Sequence, residues 1–537
     1  MSKQVQPIFI LPEGTQRNRG KGAQSNNIAA AKEVADTVRT TLGPKGMDKM
    51  IVDSMGNITV TNDGVTILEE MRVDHPAARM VIEVARTQEN EIGDGTTTAV
   101  VIAGELLKKA EGLLEQNIHP TIIIKGYRVA LNKTIAILNE LSENISSDDD
   151  DILVKVAETA MTGKGADNSK SHLSKIVVEA VKKIADFKGK EKSFDKDFIK
   201  IEKRVGETID DTVLVDGIVL DKEKVHPSMP KQVNDAKILL LDSPIEVKEG
   251  DIDTKIQITD PEKMEQFLAL EERMLRTMVD KIVANNVNVV FCQKGIDDLA
   301  QHFLAKKGIF AVRRVTRSDL EKISRATGAN LVNNVNEISD QDIGTADIVS
   351  EKKVGEDNMI FVEGCDSAKA VTILVRGATE HVVDEIYRAI DDAIGDVASV
   401  VMSSKVVGGA GAVEVELAMR LFQFANTFSG KEQLAIKSFA DALEVIPKTL
   451  AENAGLDPIN VIADLRSSHE KKHKWAGIDV FTGKVIDSWE EGVIEPLKIK
   501  TQAINSASEV AVMLLRVDDV ILSAPPNKQA QQGEYFA

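Results

Sequence analysis

Gly93-Asp94-Gly95-Thr96-Thr97-Thr98 is the stretch on which the reading of this chain turns. After it, Ala99, Ala103, Leu106, Leu107, Ala110, Leu113 and Leu114 recur at three- and four-residue steps, the pattern of one buried helix face running to about Asn117. A glycine-flanked aspartate and three threonines therefore sit at a helix N-terminus. There the first backbone N–H groups lack partners, the dipole is positive, and glycine lets a bulky anion approach. Phosphate suits such a place, but Asp94 would repel it unless a hard cation such as Mg²⁺ bridged carboxylate and phosphate oxygens. That combination points to a metal nucleotide. An ordinary capping cluster, with Asp and Thr as the caps, accounts for the same residues.

Working outward, a helix is expected from about Asn26, with Ile28, Ala31, Ala35, Val38 and Leu42 on one face, stopping at Gly43-Pro44. Leu42-Gly43-Pro44-Lys45-Gly46 is a glycine-rich turn with a cation; it lacks Walker A spacing, and a plain C-cap explains it. Met50 to Asp53 and Ile58 to Thr61 read as a hairpin, followed by Thr61-Asn62-Asp63-Gly64, in which Asp-Gly is a common turn pair. Pro76 starts a helix that leads into the Gly93 loop. Beyond the central helix another runs from about Pro120 past Leu138 to the charged run Asp148 to Asp151, a surface boundary. The next, through Val154, Val156 and Ala160, ends at Thr162-Gly163-Lys164-Gly165, where a glycine cap with a solvated lysine is the simplest account.

Composition sets the bounds. At 537 residues the chain exceeds one hydrophobic core, and its length suggests about three domains. A formal charge of −19 argues against nucleic acid or an anionic membrane surface as the main partner. Two distant cysteines, Cys292 and Cys365, exclude a disulfide framework and give no zinc signature; both read as small buried apolar residues in a reducing, cytoplasmic setting. Ile8 to Leu11, between Pro7 and Pro12, is too short for a signal peptide or a membrane span.

Between about Val219 and Val362 apolar strands alternate with helices: Ile238 to Leu241, Val287 to Phe291, Ile296 to Leu304, Ile309 to Val312, then Leu320 to Ala326. This α/β unit holds no G-x-G-x-x-G and no paired catalytic side chains, so it reads as a binding domain. Within it, Asp260 caps and Pro261 opens a helix carrying Met264, Phe267, Leu268, Met274, Leu275 and Met278, a stripe that core packing explains. Val371 to Val375 is a strand. Glu380 to about Val400 is a helix with Val383, Ile386, Ile390, Ala393 and Val397 inward and Glu385, Arg388, Asp392 and Asp396 on a solvated face. Gly408-Gly409-Ala410-Gly411 precedes a helix from about Val413. Further helices cover Gln433 to Asn453, broken or kinked by Pro447, and Ala507 to Ile521; Pro525 to Ala537 reads as a disordered tail.

Taken in order, Leu42-Gly43-Pro44-Lys45-Gly46-Met47-Asp48-Lys49, Thr61-Asn62-Asp63-Gly64, Gly93-Asp94-Gly95-Thr96-Thr97-Thr98 and Phe291-Cys292-Gln293-Lys294-Gly295-Ile296-Asp297-Asp298 resemble the group II chaperonins, the archaeal thermosomes and their eukaryotic cytosolic relatives. The resemblance spans about residues 20 to 522 and is strongest to archaeal subunits. It implies a multidomain α and α/β chain: a mainly helical equatorial ATPase domain from both chain ends (1–148 and 405–537), a small intermediate hinge (149–217 and 370–404), and an α/β apical substrate domain (218–369) with a helical lid protrusion near 245–280. It also implies two stacked rings of eight or nine identical or paralogous subunits, enclosing unfolded client proteins without nucleic acid or membrane. Exposed apolar residues on the Met-rich helix would then be lid or client contacts rather than core.

The resemblance further assigns ATP/ADP and Mg²⁺, with K⁺ as a further cation. It makes Asp94 the metal ligand, has Gly95, Thr96, Thr97 and Thr98 hold the phosphates, and has Leu42, Gly43 and Pro44 line the other side of the nucleotide. Asp63 and Asp392 orient the attacking water, the family pattern selecting Asp392 over Asp391. Lys164 senses the terminal phosphate, Glu495 faces the ribose, and Gly409 and Gly411 pack near the nucleoside. One departure stands out: Ala410 occupies the middle of what is usually a triple glycine, where a methyl crowds the adenine or demands a backbone angle alanine disfavours. The competing function is a holdase or structural ring or filament that binds clients with little ATP cycling. A small-molecule kinase lacks an acceptor site.

Overall fold

The computed structural model describes residues 16–52, 55–166, 169–185, 193–247, 261–365 and 370–522. Thr259, Asp260, the Ile8 to Leu11 patch and the Pro525 to Ala537 tail lie outside the described residues. The chain forms two units, Met1–Ile145 with Lys405–Ala537, and Ser146–Ser404.

The first unit is helical and centred on Thr96–Glu115, against which Lys21–Arg39, Pro76–Glu91, Lys431–Leu443 and Leu497–Leu515 all pack. Periodicity suggested one buried face, but Val100, Val101 and Ile102 are as buried as Ala99, Ala103, Leu106 and Leu107. A helix apolar on most sides belongs in the middle of a bundle. Gly104 lets Lys21–Arg39 approach, since a Cβ there would stand 2.3 Å from that of Ala35.

The chain ends are joined in register. Gln16–Arg19 pairs antiparallel with Asp519–Leu522, and Arg17 Nε donates to Asp519 Oδ1 at 2.9 Å. The helix expected over Ala507 to Ile521 instead runs Leu497–Leu515. Pro496 sets its start, and the β-branched pair Val520-Ile521 goes into the closing strand. Pro447 marks a real interruption, with Lys431–Leu443 and Val445–Asn453 as separate helices. The charged run opens a helix rather than only marking a boundary: Asp149 caps Asp150–Met161, and Asp150 and Asp151 lie in its first turn, complementing the dipole.

The second unit contains a seven-stranded sheet in the order Phe310–Val312, Val289–Cys292, Gln232–Leu241, Gly344–Val354, Asp357–Glu363, Gly217–Leu220, with Leu331–Val332 also on Gln232–Leu241. Its first part is parallel, as alternating strands and helices require; the long hairpin Gly344–Val354/Asp357–Glu363 makes the rest antiparallel. Both cysteines are buried and neither is in a disulfide, and burial pushes the Cys292 thiol up to about 11. A second sheet, Ile199–Val205 and Val213–Val215 on either side of Val371–Gly377, packs with Glu380–Ser403 and Lys170–Ile184.

The Met-rich helix is Pro261–Ala284. Core packing holds for its C-terminal half, where Leu275, Val279 and Ile282 are buried, and fails for its N-terminal half, where Phe267, Leu268, Leu270 and Met274 are 41–57% exposed. No helix among the described residues is long and apolar enough to cross a membrane.

Candidate functional site

In the unit made of both chain ends, the Asp63-Gly64 pair and Ile499 meet the start of Thr96–Glu115, while Val445–Asn453 braces the Leu42-Gly43 and Gly411 loops. Gly93 and Gly95 take left-handed φ of 98° and 78°, a conformation side chains resist, and Gly95 itself is the N-cap. The cap position thus holds no side chain, so neither Asp94 nor a threonine is the cap. Behind the loop stands Gln88, fully buried: its backbone oxygen accepts from Ile92 (3.1 Å) and Gly93 (3.4 Å), and its Nε2 donates to the Asp94 carbonyl at 2.8 Å. Nothing in the sequence pattern singled out Gln88; it sits among the apolar positions of Pro76–Glu91.

Asp63 is the N-cap of Gly64–Glu70, its Oδ2 accepting from Thr66 N (2.8 Å) and Thr66 Oγ1 (2.6 Å). Helix capping therefore explains it better than an Asp-Gly turn, and both bonds fall on one oxygen. The following Gly64 is pressed against the start of Thr96–Glu115: a Cβ there would lie 2.6 Å from Thr97 Oγ1 and 3.2 Å from Thr96 Oγ1. Asp63 is thereby delivered beside Thr96 and Thr97.

Val445–Asn453 supports two further loops. Asn453 Nδ2 donates to the carbonyls of Leu42 (2.9 Å) and Arg39 (3.1 Å), and Gly43, at φ 82°, has no room for a Cβ beside Leu450. The first helix ends at Arg39, short of Leu42: Gly43 turns left-handed and Pro44 has no N–H for the Thr40 carbonyl, which accepts from Met47 N instead, while the Arg39 carbonyl accepts from both Leu42 N and Asn453. On the same helix, Pro447 abuts Gly411 (φ 76°). Ala410 adopts φ 54°, so the departure from glycine is a backbone matter. Left-handed alanine costs about 1–2 kcal/mol and glycine's extra freedom returns about 0.5–1 of it. Ala410→Gly should therefore raise unfolding stability by about 0.5–1 kcal/mol; a lower denaturation midpoint would show that the methyl packs usefully over Gly477, where it fills the place a Cβ would need.

Glu495 lies on Ile494–Pro496, antiparallel to Lys405–Gly408, with Oε1 2.5 Å from where a Gly409 Cβ would be. Its Oε2 is 2.7 Å from Lys500 Nζ, which also reaches Glu414 Oε1 at 2.9 Å. Burial pushes the Glu495 carboxyl up, Lys500 opposes this, and Glu414 and Asp94 add to the rise. Burial also works against the Lys500 charge, but Glu414 and Glu495 outweigh it and hold the ammonium above the usual lysine range. Sequence reasoning missed Glu414 and Lys500. Their signal is charge within an apolar helix start: a lone glutamate in Ala412-Val413-Glu414-Val415, and lysines alternating with apolar residues in Leu497-Lys498-Ile499-Lys500.

Among the described residues there is no group of three or more His, Cys, Asp or Glu placed to hold a metal ion. Mg²⁺ that arrives with a nucleotide takes one or two carboxylates and fills its octahedron with phosphate oxygens and water. Asp94, with Asp63 delivered next to the threonines, fits that donor set.

In the second unit, Lys164 and Asp392 are brought together, Nζ to Oδ2 at 2.5 Å. The face expected to be solvated is not: Asp392 is 7% and Asp396 2% exposed, because Glu380–Ser403 is enclosed by Asp150–Met161 and Lys170–Ile184. Lys164 is likewise paired rather than solvated. Neighbouring Asp391 points elsewhere, to Lys196 at 2.9 Å. Gly165, at φ 59°, packs on the Glu385 carboxylate.

The TCP-1/cpn60 chaperonin family model matches residues 34–525. Thermosome subunit beta of Archaeoglobus fulgidus is 60% identical over 530 residues, 99% of this chain and 97% of that protein. Thermosome subunit alpha of the same organism is 56% identical over 529 residues, 98% of this chain and 97% of that protein. Of solved structures, the open-state monomer of a group II chaperonin from Methanococcoides burtonii aligns with a TM-score of 0.61 at 49% identity, covering 79% of this chain and 100% of that one. With its ordered motifs matched along nearly the whole length, the chain belongs to the TCP-1/cpn60 chaperonin family, in the group II branch of the thermosomes.

Proposed function

We propose that the chain is an ATP-hydrolysing subunit of a double-ring cytoplasmic chaperonin that encloses unfolded proteins under a built-in lid. The observation that carries this is the glycine-capped start of Thr96–Glu115, with Asp94 before it and Asp63-Gly64 pressed against Thr96 and Thr97. In this reading Asp94 holds Mg²⁺, and Gly95, Thr96, Thr97 and Thr98 hold the phosphates. Leu42, Gly43 and Pro44 line the far side, Gly409 and Gly411 the nucleoside, and Glu495 meets the ribose. Bound magnesium neutralises phosphate charge for in-line displacement, which leaves the protein the task of placing a water. Asp63 and Asp392 orient and polarise that water, and Lys164 senses the terminal phosphate. Asp392 is carried on the hinge helix, so turnover is tied to hinge closure.

The division at Ile145/Ser146 and Ser404/Lys405 supports an equatorial domain of 1–148 and 405–537. Within the remainder, 149–217 with 370–404 forms the hinge and 218–369 the apical domain. Exposed Phe267, Leu268, Leu270 and Met274 support client and lid contacts near 245–280. Relatives named as alpha and beta subunits support rings of identical or paralogous chains; eight or nine subunits to a ring is part of the proposal. Steady-state ATP hydrolysis with Mg²⁺ and K⁺, with and without an unfolded client, tests the reading. Turnover that responds to client, with the client becoming protease-resistant, is expected; client binding without turnover would instead identify a holdase.

A further inference from the structure

Lys500, Glu414 and Glu495 form a buried cluster in which two carboxylates share one ammonium. The side chains of Lys500 and Glu414 are 5% and 1% exposed, whereas Glu495 keeps 20%, so the cluster opens to solvent only through Glu495. Neither oxygen of Glu414 has a well-directed hydrogen bond among the described residues; its charge is offset by the nearby ammonium. Buried ion pairs are poor stabilisers compared with apolar packing, and one that also leaves an excess negative charge is worse. Stability does not account for the cluster. Its geometric effect does: Lys500 occupies Oε2 of Glu495, while Oε1 is left against Gly409, whose N–H is tied to the Val493 carbonyl at 2.8 Å.

Building on the ATPase reading, we propose that Lys500, anchored by Glu414, is a positioning residue that holds Glu495 as a one-oxygen acceptor for a ribose hydroxyl. The cluster thereby sets discrimination between ribo- and deoxyribonucleoside triphosphates. An aligned carboxylate accepting from a hydroxyl distinguishes the two; a swinging or protonated one does not. The charge balance supports this, since burial, Glu414 and Asp94 all favour the neutral acid at Glu495 and Lys500 is what opposes them.

The test uses the assembled full-length protein and KM for ATP, 2′-deoxyATP and 3′-deoxyATP. For the engaged hydroxyl, wild type should show a deoxy-to-ATP KM ratio on the order of tenfold, a hydrogen bond to a charged group being worth at least that. Lys500→Met should bring the ratio to within about twofold, through KM for ATP more than kcat, and Glu495→Gln should do the same with no further change in the double variant. Glu414→Gln, a neutral isostere that spares the ammonium, guards against a misfolded Lys500→Met and should lower the ratio about threefold. A folded Lys500→Met or Glu414→Gln with the wild-type ratio, or additive effects of Lys500→Met and Glu495→Gln, overturns the positioning role alone. Wild-type protein that turns over neither ATP nor its analogues overturns the ATPase reading as well.

Discussion

Asp392→Ala should keep ATP binding and lose turnover by a factor on the order of 10²–10⁴, the usual share of a positioned acid or base. Asp391→Ala provides the internal control. It is the next residue on the same helix but pairs with Lys196 at 2.9 Å, and its loss should leave turnover within about twofold, as expected of a partly exposed ion pair. Asp392→Ala also strands Lys164, whose ammonium lies 2.5 Å from the carboxylate. Asp392→Asn, which still offers Lys164 an oxygen, separates chemistry from that packing effect. If both variants lose turnover while their melting differs, the carboxylate charge is what matters. If Asp392→Asn hydrolyses ATP at the wild-type rate, Asp392 has no part in water activation. In either variant closure should fail with turnover, measured as protease sensitivity of the Pro261–Ala284 helix in the presence of ATP.

How far the sequence could be read depended on whether the deciding interaction was local. The N-terminus at Thr96, the hairpin Lys49–Val52/Ile58–Thr61 and the break at Pro447 follow from glycine, proline and apolar spacing within a few residues, and the structure has them where they were expected. The start of Leu497–Leu515 was missed because Lys498 and Lys500 interrupt its apolar pattern. Lys500 is buried only because Glu414 and Glu495 come from other elements to receive it, and no window on the sequence contains all three. The hairpin Gly344–Val354/Asp357–Glu363 was missed for a related reason: Glu351-Lys352-Lys353 reads as a solvated run, yet it is an ordinary strand with the pairing partners Ile360, Met359 and Asn358. Asp392 and Asp396 were assigned to a solvated face by helical periodicity, which cannot see the helices that cover it. As for the candidate site, local chemistry marked Asp94 and the threonines, but that Asn453 and Leu450 would hold the Leu42-Gly43 loop is written in no local pattern. Only the family resemblance joins those loops into one site.

Asp94→Asn should abolish magnesium-dependent hydrolysis, by a factor on the order of 10³ or more, because a metal's share of transition-state charge stabilisation is several kcal/mol. The fold should survive. The Asp94 backbone carbonyl, which a side-chain change leaves in place, carries the bond from Gln88, and the helix cap is Gly95. Removing a negative charge near a helix N-terminus costs about 0.3–1 kcal/mol. Asp63 gives the opposite contrast. Its carboxylate caps Gly64–Glu70, so Asp63→Ala should cost about 1 kcal/mol of stability as well as turnover, whereas Asp63→Asn, an equally good cap, should cost turnover only. Binding measured with and without EDTA separates the roles. Wild-type affinity for ATP should tighten with Mg²⁺ and that of Asp94→Asn should not, while Asp63→Asn should still respond to the metal. Turnover of Asp94→Asn within about tenfold of wild type, or an unchanged magnesium response, would remove Asp94 from the metal site, for a bridging carboxylate cannot lose its charge at so little cost.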